Sequence, residues 1–467
     1  MRLEHDSLGQ VEVDDDWPYG AHTFRARANF PLSNDRIHPT VFRALVEVKL
    51  AAAIANAKAG HLDPVRYEVI EKVCRGLLEG DRLVSPPLHP LQGGAGTSTN
   101  MAANEIVAFH ANRLLRESGS DLVVDALDHV NLSQSTNDAY PTAGKIALLR
   151  GLARAEEAAK QLQASLLAKE RAFADVVKMG RTELQDAIPL SLGQEFGAWA
   201  EAVARLRWRL EKARDWIREV NLGGTAIGTG MNASREYSRQ VVGILAEITH
   251  LPICRARNLI DATANADALV EASGILRTGA VSVKKICADL RLLASGPHSG
   301  LGEIHLAAVQ AGSSIMPGKV NPVICESVEQ VCIQVMAQDM AVGMAVSESQ
   351  LELPQFLPLV FHNLLMGCEL FANALTMLAG CVDALEARRD DIKKRLDNGV
   401  AMATLLARHL GHEVVDGILT ECARAGRDLL DVLRERRLVT EELLADLQDP
   451  VSRLGSGSIQ VRKRKTP

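Results

Sequence analysis

Aromatic residues make up only 4% of this 467-residue sequence. Sandwiches and barrels draw on aromatic and β-branched side chains, so the scarcity argues against both. Paired cysteines are also missing. Cys74, Cys254, Cys287, Cys325, Cys332, Cys368, Cys381 and Cys422 lie scattered, with no CxxC and no histidine placed to complete a zinc set. They read as reduced core thiols, so no disulfide and no metal site is expected. No apolar signal segment follows Met1, and no run of about eighteen uncharged apolar residues appears, so no membrane span is expected. A formal charge of −6 gives no support for a nucleic-acid or membrane partner. The basic run Arg462-Lys463-Arg464-Lys465 reads as a solvated tail. These exclusions point to a soluble, cytoplasmic chain.

What is abundant is helical. Apolar residues reach 47%, ample for a large core. Residues 1 to about 40 are polar and broken by Pro and Gly, which predicts an extended arm. Apolar spacing predicts helices over Thr40–Ala57, Pro64–Glu79 and Asn100–Glu117. Five much longer ones follow: Thr142–Val177, Leu192–Glu219, Ala268–Ala294, Pro322–Gln350 and Pro358–Leu396. Together they describe an all-α chain with a central long five-helix bundle. Their broad apolar faces exceed what one neighbour covers, which predicts packing into an oligomer. The expected domains are 1–140, a central bundle over 141–397, and a small C-terminal helical domain with a basic tail over 398–467, bounded at Asn398-Gly399.

Four polar loops interrupt this pattern. Gln92 to Asn100 holds three glycines, but no strand precedes it and no lysine follows, so a phosphate loop is not supported. It reads as an opened backbone at a helix start, whose N–H groups and the Thr97 hydroxyl can meet an anion. Asp128 to Thr142 places Ser135, Thr136 and Asn137 directly before a helix, where Asn137 or Asp138 could equally serve as a plain cap. Gly180 to Ala187 is the third loop. Gly223 to Asn232 reads as a tight packing turn. The most informative stretch is Gly312-Ser313-Ser314-Ile315-Met316-Pro317-Gly318-Lys319-Val320-Asn321-Pro322. Lys319 and Asn321 stand six and eight residues beyond Ser313. A cation and an amide beside a proton acceptor can hold a carboxylate while a neighbouring proton is removed.

Gly312 to Pro322 resembles the signature of the aspartase/fumarase superfamily. The second and third loops resemble two further shared regions, and the similarity covers nearly the whole chain. Tyr19-Gly20-Ala21-His22-Thr23 carries His where fumarate hydratases usually have Gln. Gln92 to Ser98 is likewise more similar to the aspartate ammonia-lyases. The resemblance implies a three-domain subunit and a homotetramer built on a shared helical core, with each active site shared between three subunits. It implies a small-molecule dicarboxylate substrate and no cofactor. The implied reaction is reversible elimination of ammonia from L-aspartate to give fumarate through an aci-carboxylate. Carried over by motif position, Ser313 is the base. Lys319, Asn321 and Ser314 cradle the carboxylate as charge develops, and Thr97, Ser135, Thr136, Asn137 and Thr182 hold the amino group and the other carboxylate. Serine is a poor base unaided, so its alkoxide needs nearby N–H groups and a cation.

Two departures stand out. Glu183 replaces the His or Gln common in related enzymes, where His pairs with a glutamate at the position of Glu326. Two close, partly buried glutamates would share a proton. An ionised Glu183 instead favours an altered amine, so a lyase for another succinyl-amine or an N-substituted aspartate is the alternative. Fumarate hydratase fits less well, and a non-catalytic structural homologue least, because Ser313, Lys319 and Asn321 are all present. Thr404 to Gly411 stands where relatives usually have a Leu-Asn-Pro turn.

Overall fold

The structure, a computed structural model, describes residues 1–79, 85–397, 406–407, 409–427 and 429–442. The Asn398-Gly399 boundary, the basic run and part of the Thr404–Gly411 segment lie outside the described residues. The chain is mainly helical, and its strands among the described residues form small two-stranded pairings only.

Capping chemistry sets several helix starts. Asp63 accepts from the Arg66 N–H ahead of Pro64, the first residue of α3 (Pro64–Leu78). His38 does the same for α2 (Pro39–Lys58), again with proline first. Helix α4 (Thr97–Glu117) opens on Gly96, at φ +95°. A Cβ there would lie 2.5 Å from the Tyr140 ring, so only glycine fits. Helix α1 (Ala21–Asn29) and the hairpin of β1 (Arg2–Asp6) with β2 (Gly9–Val13) occupy the stretch expected as an extended arm.

The five long helices are α5 (Thr136–Ala172), α6 (Leu192–Ile217), α9 (Asp267–Leu293), α10 (Val323–Ser347) and α11 (Leu357–Asp383). Between α6 and α9 lie α7 (Arg235–Thr249) and α8 (Leu259–Ala264). Helix α11 stops at Asp383 and not near Leu396, where a separate short helix, Arg389–Asp397, takes over. By length and composition alone α11 could cross a membrane, although Glu369 interrupts its apolar run. Its apolar surface is used internally: Phe361, Leu364, Leu365, Cys368 and Phe371 are buried, and Glu369 pairs with His38 at 3.0 Å.

The chain divides into two compact units. The first comprises residues 1–158, 206–281 and 330–373, where α2 packs against α3, α4 and α7 around Phe42, Leu45 and Tyr237. Its one buried carboxylate on α2, Glu47, takes two bonds from the Arg150 guanidinium at 2.9 Å each. The second comprises 159–205, 282–329 and 374–467. Here Phe173, Phe196 and Trp199 stack edge to face, and a separate small core gathers Leu406, Val415, Ile418, Val432 and Leu433.

Candidate active site

In the first unit, the loop before α5 is fixed from both ends. Ser135 Oγ accepts from the Asn137 N–H at 3.2 Å, and Asp138 Oδ1 accepts from the Ser135 N–H at 2.9 Å. That is a reciprocal capping box with Ser135 as the cap, where the sequence offered Asn137 or Asp138. Asp138 is fully buried, and its second oxygen accepts from the N–H groups of Gly223 and Thr225. Burial nevertheless lifts its carboxyl to about 6. The fourth polar loop is therefore a cradle for Asp138. Gly228 is required there, since a Cβ would come within 2.4 Å of Ile260 Cα. Asn137 extends its amide to Ala226 O at 2.8 Å.

Beneath this loop sits Lys49, a side chain that sequence reasoning missed. It lies within the apolar run of α2 and is 0% exposed. Its Nζ donates to Asn100 Oδ1 at 2.6 Å, Asn131 Oδ1 at 3.0 Å and Gln134 Oε1 at 2.9 Å. Burial pushes the ammonium down to about 7, with the Asp138 charge opposing. Three acceptors match the three donors of the ammonium. Asn100 Nδ2 then donates to Thr136 Oγ1 at 3.3 Å, so one network reaches a predicted site residue. A lone lysine amid Leu45 to Ala55 was the sequence signal for it. Thr97 opens α4, its hydroxyl donating to Gly94 O at 2.8 Å. With Ser98 and His22 it lines a cleft of about 1300 Å³.

In the second unit, Gly180–Ala187 is not a loop. It belongs to an antiparallel hairpin, β3 (Val177–Thr182) with β4 (Gln185–Ser191). Thr182 pairs with Gln185, leaving Glu183 and Leu184 as the two turn residues, at φ +53° and +64°. That turn normally takes Asn or Gly, and here it presents Glu183 to solvent. Lys178, 1% exposed, anchors the hairpin: its Nζ lies 2.6 Å from Glu303 and 2.8 Å from Glu195. Arg181 completes the network at 2.7 Å from Glu303. Two cations balance two carboxylates, so the buried group is neutral overall.

The stretch Gly312 to Pro322 folds back on itself. Asn321 Nδ2 donates to Gly312 O at 2.5 Å. A Cβ on Gly312 would lie 2.1 Å from Lys319 O, so the closure requires glycine. Inside the loop, Ser313 Oγ accepts from the N–H groups of Ile315 at 3.1 Å and Met316 at 3.0 Å. Ser314 and Lys319 are exposed. Glu326 lies in the first turn of α10, 3.9 Å from the Arg291 guanidinium.

The predicted residues thus fall into two sets. Thr97, Ser135, Thr136 and Asn137 belong to the first unit, while Thr182, Glu183, Ser313, Ser314, Lys319, Asn321 and Glu326 belong to the second.

A family model described as "Lyase" matches residues 9–337. An aspartate ammonia-lyase of Helicobacter pylori is 40% identical, over 99% of this chain and all of the relative. One from Corynebacterium glutamicum is 42% identical over 95% of this chain and 85% of the relative. Among solved structures, a fumarate lyase:delta crystallin from Brucella melitensis bound to cobalt superposes with a TM-score of 0.90 at 43% identity, covering 96% of this chain and 98% of that one. A class II fumarase from Schistosoma mansoni gives 0.92 at 33% identity, over the same shares of the two chains. The chain belongs to the aspartase/fumarase superfamily of lyases.

Proposed function

We propose that the protein is a carbon–nitrogen lyase of the aspartate ammonia-lyase type. Ser313, as an alkoxide, takes the proton from Cβ of L-aspartate. The electron pair moves into the adjacent carboxylate as an aci-carboxylate, then forms the double bond as the Cα–N bond breaks. Ammonia and fumarate are released. The observation that carries this reading is the pair of N–H groups on Ser313 Oγ. Donors aimed at that oxygen favour its negative form, which a serine base needs. Lys319 adds a cation on the same loop, and Asn321, held to Gly312 O, fixes the loop's closure. Thr97, Ser135, Thr136, Asn137 and Thr182 supply hydroxyls and an amide for the remaining substrate groups.

The working enzyme is a cytoplasmic homotetramer whose sites combine residues of three subunits. Exposed apolar side chains support assembly: Trp208 and Trp216 on α6, and Ile333, Met340 and Met344 on α10, are each more than half exposed. In an assembled site, Glu183 of one subunit would stand near Glu326 of another.

One observation favours a second substrate. Glu183 places an acidic side chain on an exposed turn, which suits an aspartate carrying an extra cationic group on nitrogen. Ultraviolet detection of fumarate with aspartate, malate and a panel of N-substituted aspartates decides between these readings. Ser313→Ala should lower kcat by about 10³-fold or more with assembly unchanged. Near-normal turnover in that variant would remove Ser313 as the base.

A further inference from the structure

Lys49 costs the fold a buried charge, and an apolar side chain of similar length would fill the same space without one. Its three bonds all go to side-chain amide oxygens and none to a carboxylate. An ammonium can only face an oxygen, so it dictates how each amide is turned. For Asn100 the consequence is specific. With Oδ1 held by Lys49 at 2.6 Å, Nδ2 points away, donating to Thr136 Oγ1 at 3.3 Å and to Asn131 Oδ1 at 3.1 Å. Thr136 Oγ1 is then an acceptor on its inner side, and its own proton is left to donate outward. A carboxylate accepts and never donates, so this is the polarity its recognition needs.

We infer that Lys49 is a positioning residue that sets the hydrogen-bond polarity of Thr136 through Asn100, making the Thr136 hydroxyl a donor to a substrate carboxylate. The inference rests on the proposed dicarboxylate site. Asn131 and Gln134 are turned by the same ammonium. Gln134 Nε2 donates to the carbonyls of Val130 and Leu132, and Asn131 Nδ2 donates to Gln134 O. The loop is thereby locked in the orientation that presents Ser135 and Thr136.

Asn100→Asp is the informative change. It keeps a partner for Lys49, but both its side-chain oxygens accept, so Thr136 must turn its proton inward. Fumarate affinity by calorimetry and KM for aspartate are expected to weaken about tenfold, with kcat changed much less. Thr136→Val should give a similar loss, and the double variant should be no worse than either alone. Wild-type fumarate affinity in folded Asn100→Asp, or losses that multiply in the double variant, would overturn the inference. Should Asn100→Asp fail to fold, Lys49→Met carries the same readout: about a tenfold loss supports the role, and wild-type affinity ends it. Fumarate binding needs no turnover. A protein that binds fumarate in this Asn100-dependent way yet eliminates no amine overturns the proposed function and leaves the Lys49 role standing.

Discussion

The Asn221 side-chain amide donates to the Asn137 carbonyl at 2.9 Å. That carbonyl is the acceptor four residues before Pro141, which lies inside α5 and has no N–H to offer. Asn221 therefore supplies the bond the proline removes, and it does so at the residue that also carries a predicted substrate contact. It donates further to Thr263 Oγ1 at 2.9 Å.

Asn221→Leu should destabilise the protein by about 1–2 kcal/mol, because a partly buried carbonyl is left without a donor. Pro141→Ala restores an N–H to that helix turn. In the double variant it should recover part of the loss, read from urea unfolding as a double-mutant cycle. Strict additivity would mean that Asn221 is not serving the proline.

Asp138 gives a pH signature. Its folded value of about 6 lies above the 3.8 of the free carboxyl, so its contribution to stability is complete below pH 3.8 and is lost as the pH rises through 6. Asp138→Asn removes that titration and sets an NH₂ group against backbone N–H donors, costing about 1–3 kcal/mol. Urea unfolding from about pH 5 to 8 should show the wild-type margin narrowing up to about pH 7 and level beyond it. A margin that widens as the pH rises would contradict a carboxyl dominated by burial.

Gly312→Ala tests whether loop closure matters to chemistry more than to folding. The added methyl group meets the Lys319 carbonyl, so the Asn321 tie should open and kcat fall at least about tenfold. The loop is largely exposed, so unfolding free energy should move by no more than about 0.5 kcal/mol. Full activity would show that the closure is incidental.

Leu184→Gly should raise stability. A leucine at φ +64° carries about 1–2 kcal/mol of left-handed strain, partly offset by the greater freedom of glycine in the unfolded chain. A rise in Tm with Thr182 still paired to Gln185 is expected. A fall would mean that the Leu184 side chain makes a contact outweighing the strain.

Most helices were legible because their periodicity is long and their starts carry Ser, Asp or Pro. Thr97 to Glu117 and Leu192 to Ile217 lie within a few residues of expectation. The loop Gly312 to Pro322 was legible from composition alone. The hairpin at Val177 was not, for two reasons. Its first strand continues the apolar pattern of α5, and its turn is Glu-Leu where Asn-Gly would have announced it. The end of α11 was hidden because apolar spacing runs on past Asp383 into Ile392 and Leu396. Helix α5 begins six residues before the expected Thr142, since Pro141, a boundary signal in sequence, sits inside its first turns. Lys49, Asn100 and Asn221 stayed out of sight because their role depends on partners that only the fold assembles.

The Lys178 network carries one more consequence. Its central carboxylate, Glu303, is encoded far downstream of the hairpin it holds. During synthesis the Glu183–Leu184 turn leaves the ribosome with Lys178 able to pair with Glu195 but with Arg181 still lacking its Glu303 partner. The charge balance closes only when the Glu303 segment arrives, so this corner of the site matures late, and its assembly is governed by a long-range contact that forms slowly.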